Sequence, residues 1–216
     1  MTKKEQLNKL YTKWEAETPD YQGKFIKDGI NNDDFYFKAS TKILFLTKEP
    51  NNPKQEAGDF REWWKEGLKY TFSHRLAEWS YGILNDFPEY EQMWHDKEGF
   101  KKAIFQVAFM NIKKVGGKGQ SNCAEMEKHL TQNKKWLLKQ IEIIEPEIII
   151  TGLTWKKLRN QLFDNVEWKN SGYNIAIGKF NNAKVIDFYH PSSRNAAAAS
   201  YSLLENVINS ESFKEL

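Results

Sequence analysis

The sequence predicts an α/β fold: a three-layer α/β/α sandwich around a mainly parallel four-stranded sheet. Three observations carry this expectation. Four short apolar runs, Ile43–Leu46, Ile104–Met110, Glu147–Thr151 and Lys184–Tyr189, are bounded by turn formers, as strands buried on both faces are. Amphipathic helical patterns separate them, and alternation of strand and helix implies a parallel sheet with helices on both faces. Three of the four runs also break abruptly into polar clusters.

The elements follow in order. Residues 3–17 set Leu7, Leu10, Tyr11 and Trp14 on one stripe of an amphipathic helix, stopped by Thr18-Pro19-Asp20. Residues 21–40 read as irregular, with a short edge strand at Phe35–Phe37. The whole chain, 1–216, reads as one domain in which 1–40 is an N-terminal helix and irregular extension. After the first central strand, Pro50 and Pro53 open a loop that leads into helix near Ala57. Segment 60–100 is dense in aromatics, including Phe60, Trp63, Tyr70, Phe72 and Trp79, and reads as two or three helices over one sheet face. Core packing is the main explanation for them; a base-stacking wall beside a site is the sharper one.

Downstream, Ser121 or Asn122 caps a helix whose stripe is Met126, Leu130, Leu137, Ile141 and Ile144, and Pro146 ends it. A helix from Thr154 to Phe163 follows the third strand, and 165–180 reads as a hairpin or irregular crossover. A final helix turns Tyr201, Leu204, Val207 and Ile208 inward.

Composition narrows the function classes. With 40% hydrophobic and 28% charged residues, wholesale disorder is excluded. A net charge of +3 is too mild to demand nucleic acid, although a basic groove fits inside it. One cysteine, Cys123, excludes a disulfide framework, and four scattered histidines argue against a metal site. The N-terminus has no apolar signal core, and nowhere do 18 apolar residues run together. The expectation is a cytoplasmic monomer without cofactor, metal or membrane partner. The turn Gly116-Gly117-Lys118-Gly119 fits neither G-x-x-x-x-G-K-[ST] nor G-x-G-x-x-G, and G-x-S-x-G and H-E-x-x-H are absent. A glycine-rich turn before a helix still offers backbone N–H groups to a phosphate.

The polar strand ends are Lys48-Glu49, Asn111-Ile112-Lys113-Lys114 and His190-Pro191-Ser192. In a parallel sheet these ends share one edge, where ligands bind. Together they supply a carboxylate, an amide, a histidine and several cations. Singly, each has a bland explanation: Glu49 pairs with Lys48, Asn111 caps a turn, and His190 is a satisfied loop residue.

The segments TKEP (47–50), FMNIKK (109–114) and YHPSSR (189–194) resemble, in order and spacing, the strand-end motifs of the uracil-DNA glycosylase superfamily. The resemblance runs from about residue 40 onward, with H-P-S its most specific part. Closer similarity is to bacterial members carrying ILF-x-x-KEPN, N-x-KK-x-GG and HPS-x-R. The resemblance implies that Glu49 activates water and stabilises the sugar cation, and that His190 hydrogen-bonds the departing base. It also implies that Asn111 reads a flipped base, with Pro50 and Asn51 beside it. Backbone phosphates would fall to Lys48, Lys113, Lys114, Gly116, Gly117, Ser192 and Arg194. Lys48 and Asn51 depart from the family pattern, and Ser193-Arg194-Asn195 replaces the apolar insert after H-P-S.

Three functions remain open on this basis. The first is a DNA glycosylase of bacterial DNA repair, a hydrolase acting on uracil or another modified base in DNA. The second is a hydrolase of a free nucleotide or nucleoside, and the third a non-catalytic nucleic-acid-binding module.

Overall fold

A computed structural model describes residues 1–216. In chain order the strands are β1 (Ile26–Lys27), β2 (Gly29–Ile30), β3 (Ile43–Thr47), β4 (Gly58–Asp59), β5 (Ala108–Asn111), β6 (Ile148–Thr151), β7 (Lys169–Asn170), β8 (Ala176–Phe180) and β9 (Ala183–Asp187). The helices are α1 (Lys3–Glu17), α2 (Asp33–Lys38), α3 (Phe60–Trp63), α4 (Thr71–Leu84), α5 (Lys97–Ala103), α6 (Cys123–Ile144), α7 (Lys156–Leu162), α8 (Ala197–Asn209) and α9 (Glu211–Lys214).

Local chemistry accounts for the helix ends. Thr2 Oγ1 accepts from the Glu5 N–H at 3.1 Å while Glu5 Oε2 accepts from the Thr2 N–H at 2.8 Å, a reciprocal cap that starts α1. Asn122, one of the two residues expected to do so, caps α6 by accepting from the Glu125 N–H. Glu145, at φ +54°, turns the chain left-handed ahead of Pro146.

The sheet order is β2-β5-β3-β6-β9-β8-β7. Its middle four strands, β5, β3, β6 and β9, are mutually parallel and are the four apolar runs read from the sequence. The expected strand count is nevertheless corrected from four to seven. Antiparallel β2 extends one edge, and β8 and β7 extend the other. β2 and β7 are each two residues long, too short to show a period. β7 pairs antiparallel with β8, so residues 165–180 form the hairpin of the two alternatives, and β8 in turn returns to β9 through Asn181-Asn182, with Asn181 at φ +52°.

Side chains alternate across β3. Ile43 and Phe45 enter one core with α4, α5 and α8, while Leu44 and Leu46 enter another with α1, α6 and α7. Every residue of β3 is buried. Each large apolar side chain there contributes about 1.5–3 kcal/mol.

Two local expectations are corrected. Phe35–Phe37 is not an edge strand but part of α2, because Asn32 accepts from the Phe35 N–H and Asp33 and Asp34 favour a helix start. The second central strand begins at Ala108 rather than Ile104, since residues 104–106 form a 3₁₀ turn whose Ile104 carbonyl accepts from Asn31 Nδ2 at 2.7 Å. No helix is long and apolar enough to cross a membrane.

Candidate active site

Parallel pairing fixes the site's geometry. Thr47, last in β3, lies in register with Asn111, last in β5, and Thr151 of β6 lies in register with Asp187 of β9. The residues just beyond all four strands therefore reach one edge of the sheet. A cleft of about 1420 Å³ opens there. Of the residues expected at a site, Lys48, Glu49, Pro50, Asn51, Asn111, His190, Ser192 and Arg194 line it.

Asn111 is 1% exposed. Its Oδ1 accepts from Thr47 Oγ1 at 2.7 Å, and its backbone N–H donates to Asp28 Oδ2 at 2.9 Å. Its Nδ2 is buried without a partner. Buried donors are almost always satisfied, so an open one in a cleft wall is available to a water or to a ligand acceptor.

His190 Nδ1 accepts from the Ser192 N–H at 3.2 Å, which puts the ring proton on Nε2. Burial, helped by the Lys48 ammonium, pulls its pKa down to about 4. At neutral pH the ring is uncharged and Nε2 is a donor. Phe72 packs beside it, with ring centroids 6.0 Å apart.

Glu49 is almost wholly shielded, and its Oε2 accepts from Lys113 Nζ at 2.9 Å. Lys113 also donates to Glu125 Oε1 at 2.7 Å. Burial opposes charge on Lys113, but its bonds to Glu125 and Glu49 prevail and raise its pKa.

Four of the expected phosphate contacts are placed elsewhere. Lys113 stands behind Glu49, clasped by two carboxylates. Lys114 is 0% exposed and donates to Asp28 at 2.6 and 2.7 Å, so no phosphate reaches it. Gly116 and Gly117 pack against the 49–52 loop. A Cβ on Gly116 would meet the Asn52 carbonyl oxygen at 2.0 Å, and one on Gly117 would meet Glu49 Oε2 at 1.9 Å. The Gly117 N–H is already committed to the Pro50 carbonyl at 2.8 Å. These glycines serve close backbone approach rather than phosphate binding. The residues just after them, Lys118 to Ser121, are the ones that line the cleft.

Several site residues went unread in the sequence. Asp28, from the stretch read as irregular, is the hub behind Asn111 and also accepts from Gln140 Nε2 at 2.7 Å. Arg75 pins the 192–195 loop, donating to the Asn195 carbonyl at 3.1 Å and to Ser200 Oγ at 2.8 Å. Thr154 and Trp155 hold Lys48 from across the cleft. No short-range pattern marks any of these.

The aromatic segment divides between its two explanations. Trp64, Trp79, Phe87 and Phe100 are core, whereas Phe60, Trp63, Tyr70 and Phe72 wall the cleft. Tyr70 is 60% exposed and stacks nearly parallel on Trp63. No group of three His, Cys, Asp or Glu side chains is placed to hold a metal ion. Comparison with protein-family models and with curated proteins found no match for this chain.

Proposed function

We propose that the cleft binds a nucleobase and hydrolyses its N-glycosidic bond, uracil or another modified base in DNA being the substrate. The observation that carries this reading is the convergence of the open Asn111 Nδ2, the neutral His190 donor and the Glu49 carboxylate in one aromatic-walled cleft. Breaking an N-glycosidic bond builds positive charge on the sugar and negative charge on the base. Glu49 opposes the first and orients water; His190 Nε2–H opposes the second at a base oxygen. Asn111 donates to an acceptor on the base edge, and the face of Phe72 packs against the ring. Lys118 and Arg194, at the exposed mouth, suit flanking phosphates. The reading places the chain in DNA repair, within the resemblance to the uracil-DNA glycosylase superfamily. It also carries the α/β/α layering, which two separate cores sharing the alternate residues of β3 support.

The test is base release from a panel of uracil-containing and otherwise modified oligonucleotides. Glu49→Gln and His190→Ala should each lower release by about a hundredfold or more. A panel showing neither release nor binding sinks the proposal.

The ion pair of Glu49 with Lys113 favours a second reading, a non-catalytic nucleic-acid-binding module, because that carboxylate already has a structural partner. Salt-dependent binding unaffected by Glu49→Gln would select it. Turnover of mononucleotides without DNA affinity would instead select a free-nucleotide hydrolase.

A further inference from the structure

The lysines at the strand ends differ in what holds them. Lys113 is clasped by Glu49 and Glu125, and Lys114 by Asp28. Lys48 has no carboxylate partner. Its Nζ donates to Thr154 Oγ1 at 3.2 Å and lies 4.9 Å from the centroid of the Trp155 ring. Thr154 makes this contact from φ +69°, a left-handed conformation that a β-branched residue rarely adopts. Strain of that kind persists only where the surroundings impose it, and here it sets a hydroxyl on an amine in a cleft wall. Burial lowers the Lys48 pKa against the pull of Glu49, so more of it is free amine at neutral pH than of an exposed lysine. Glu49 is the next residue, and its Oε1 is the oxygen that Lys113 does not hold.

We propose that Lys48 is a nucleophile toward sugar aldehydes, giving the protein a strand-cleaving activity at abasic sites in DNA. The proposal rests on the glycosidic reading above, because base removal generates the C1′ aldehyde that Lys48 would attack. The free amine adds to the C1′ carbonyl, and the carbinolamine loses its oxygen as water to leave a protonated imine. Glu49 Oε1 takes a proton from C2′. The electron pair so released is taken up by the imine as an enamine. It returns to form the C2′=C3′ double bond as the C3′–O bond breaks, the electrons of that bond leaving with the phosphate. Water then hydrolyses the conjugated imine, returning the Lys48 amine and an unsaturated aldehyde on the upstream strand. No oxidant or reductant takes part.

The experiment uses the full chain and an oligonucleotide carrying a preformed abasic site, with sodium borohydride to reduce any imine. The expected result is a covalent protein–DNA adduct whose peptide mass maps to Lys48, with strand scission when borohydride is omitted. Lys48→Arg, which keeps the charge, should lower the adduct at least about tenfold while its melting temperature shows that it is folded. Mapping the wild-type adduct gives the answer even if that variant misfolds. No adduct, or one confined to Lys118 or the N-terminal amine, overturns the proposal. Base release is measured in parallel on an intact modified strand. Release without a Lys48 adduct overturns this inference and leaves the glycosidic reading standing. A Lys48 adduct without release upholds the amine chemistry and removes the glycosidic step.

Discussion

The Lys113 ammonium and the Glu49 carboxylate meet at 2.9 Å with their side chains 6% and 4% exposed. Removing one partner of so shielded a pair leaves the other uncompensated. Lys113→Met should therefore lower stability by about 3 kcal/mol. It should also displace Glu49 and abolish any Glu49-dependent activity. Urea unfolding beside an activity assay checks both; an unchanged midpoint would show that solvent relaxes into the gap.

Glycine substitutions separate close approach from mere flexibility. Gly117→Ala drives a methyl group to within 1.9 Å of Glu49 Oε2, which Lys113 holds in place, whereas a Cβ on Gly119 meets nothing within 4 Å. The first should lower stability by about 1–3 kcal/mol and impair the site. The second should be close to neutral. Thermal denaturation of the two variants side by side tests the contrast.

The buried pair of Lys114 and Asp28 predicts non-additivity. Asp28→Leu or Lys114→Met alone strands a charge with no access to water and should cost about 3–5 kcal/mol. The double variant should be less destabilised than the sum of the two. A double-mutant cycle reads this directly, and additive losses would mean that the pair is not coupled.

His190 sets a pH window. Its folded pKa of about 4 lies below the ordinary histidine value of 6.5, so the unfolded chain binds the extra proton first. The stability that depends on a neutral ring is fully present above pH 6.5 and is lost as pH falls from 6.5 toward 4. Between pH 7 and pH 5 the wild type should lose about 2 kcal/mol more than His190→Gln. Urea midpoints at the two pH values test it, and equal losses would contradict the burial of the ring.

Thr154→Gly should release the left-handed strain at φ +69° and stabilise the fold by about 1 kcal/mol, net of glycine's entropy. It should also free Lys48 from its hydroxyl partner. A fall in melting temperature would show that the Lys48 bond outweighs the strain.

Local pattern determined much of this protein. The apolar runs of β3, β5, β6 and β9, the stripes of α1 and α6, and the polar residues just past the strands are set by neighbours in sequence. Their period and punctuation were therefore legible, and with them Glu49, Asn111 and His190. Burial depth was not, because it depends on partners far along the chain. Lys114 looked like a phosphate ligand until Asp28, 86 residues away, enclosed it. Lys113 and Lys48 looked alike until packing gave one two carboxylates and the other a hydroxyl and an indole. A charge is drawn to whatever the fold brings beside it, and only the tertiary structure decided which of these lysines was left without a carboxylate partner.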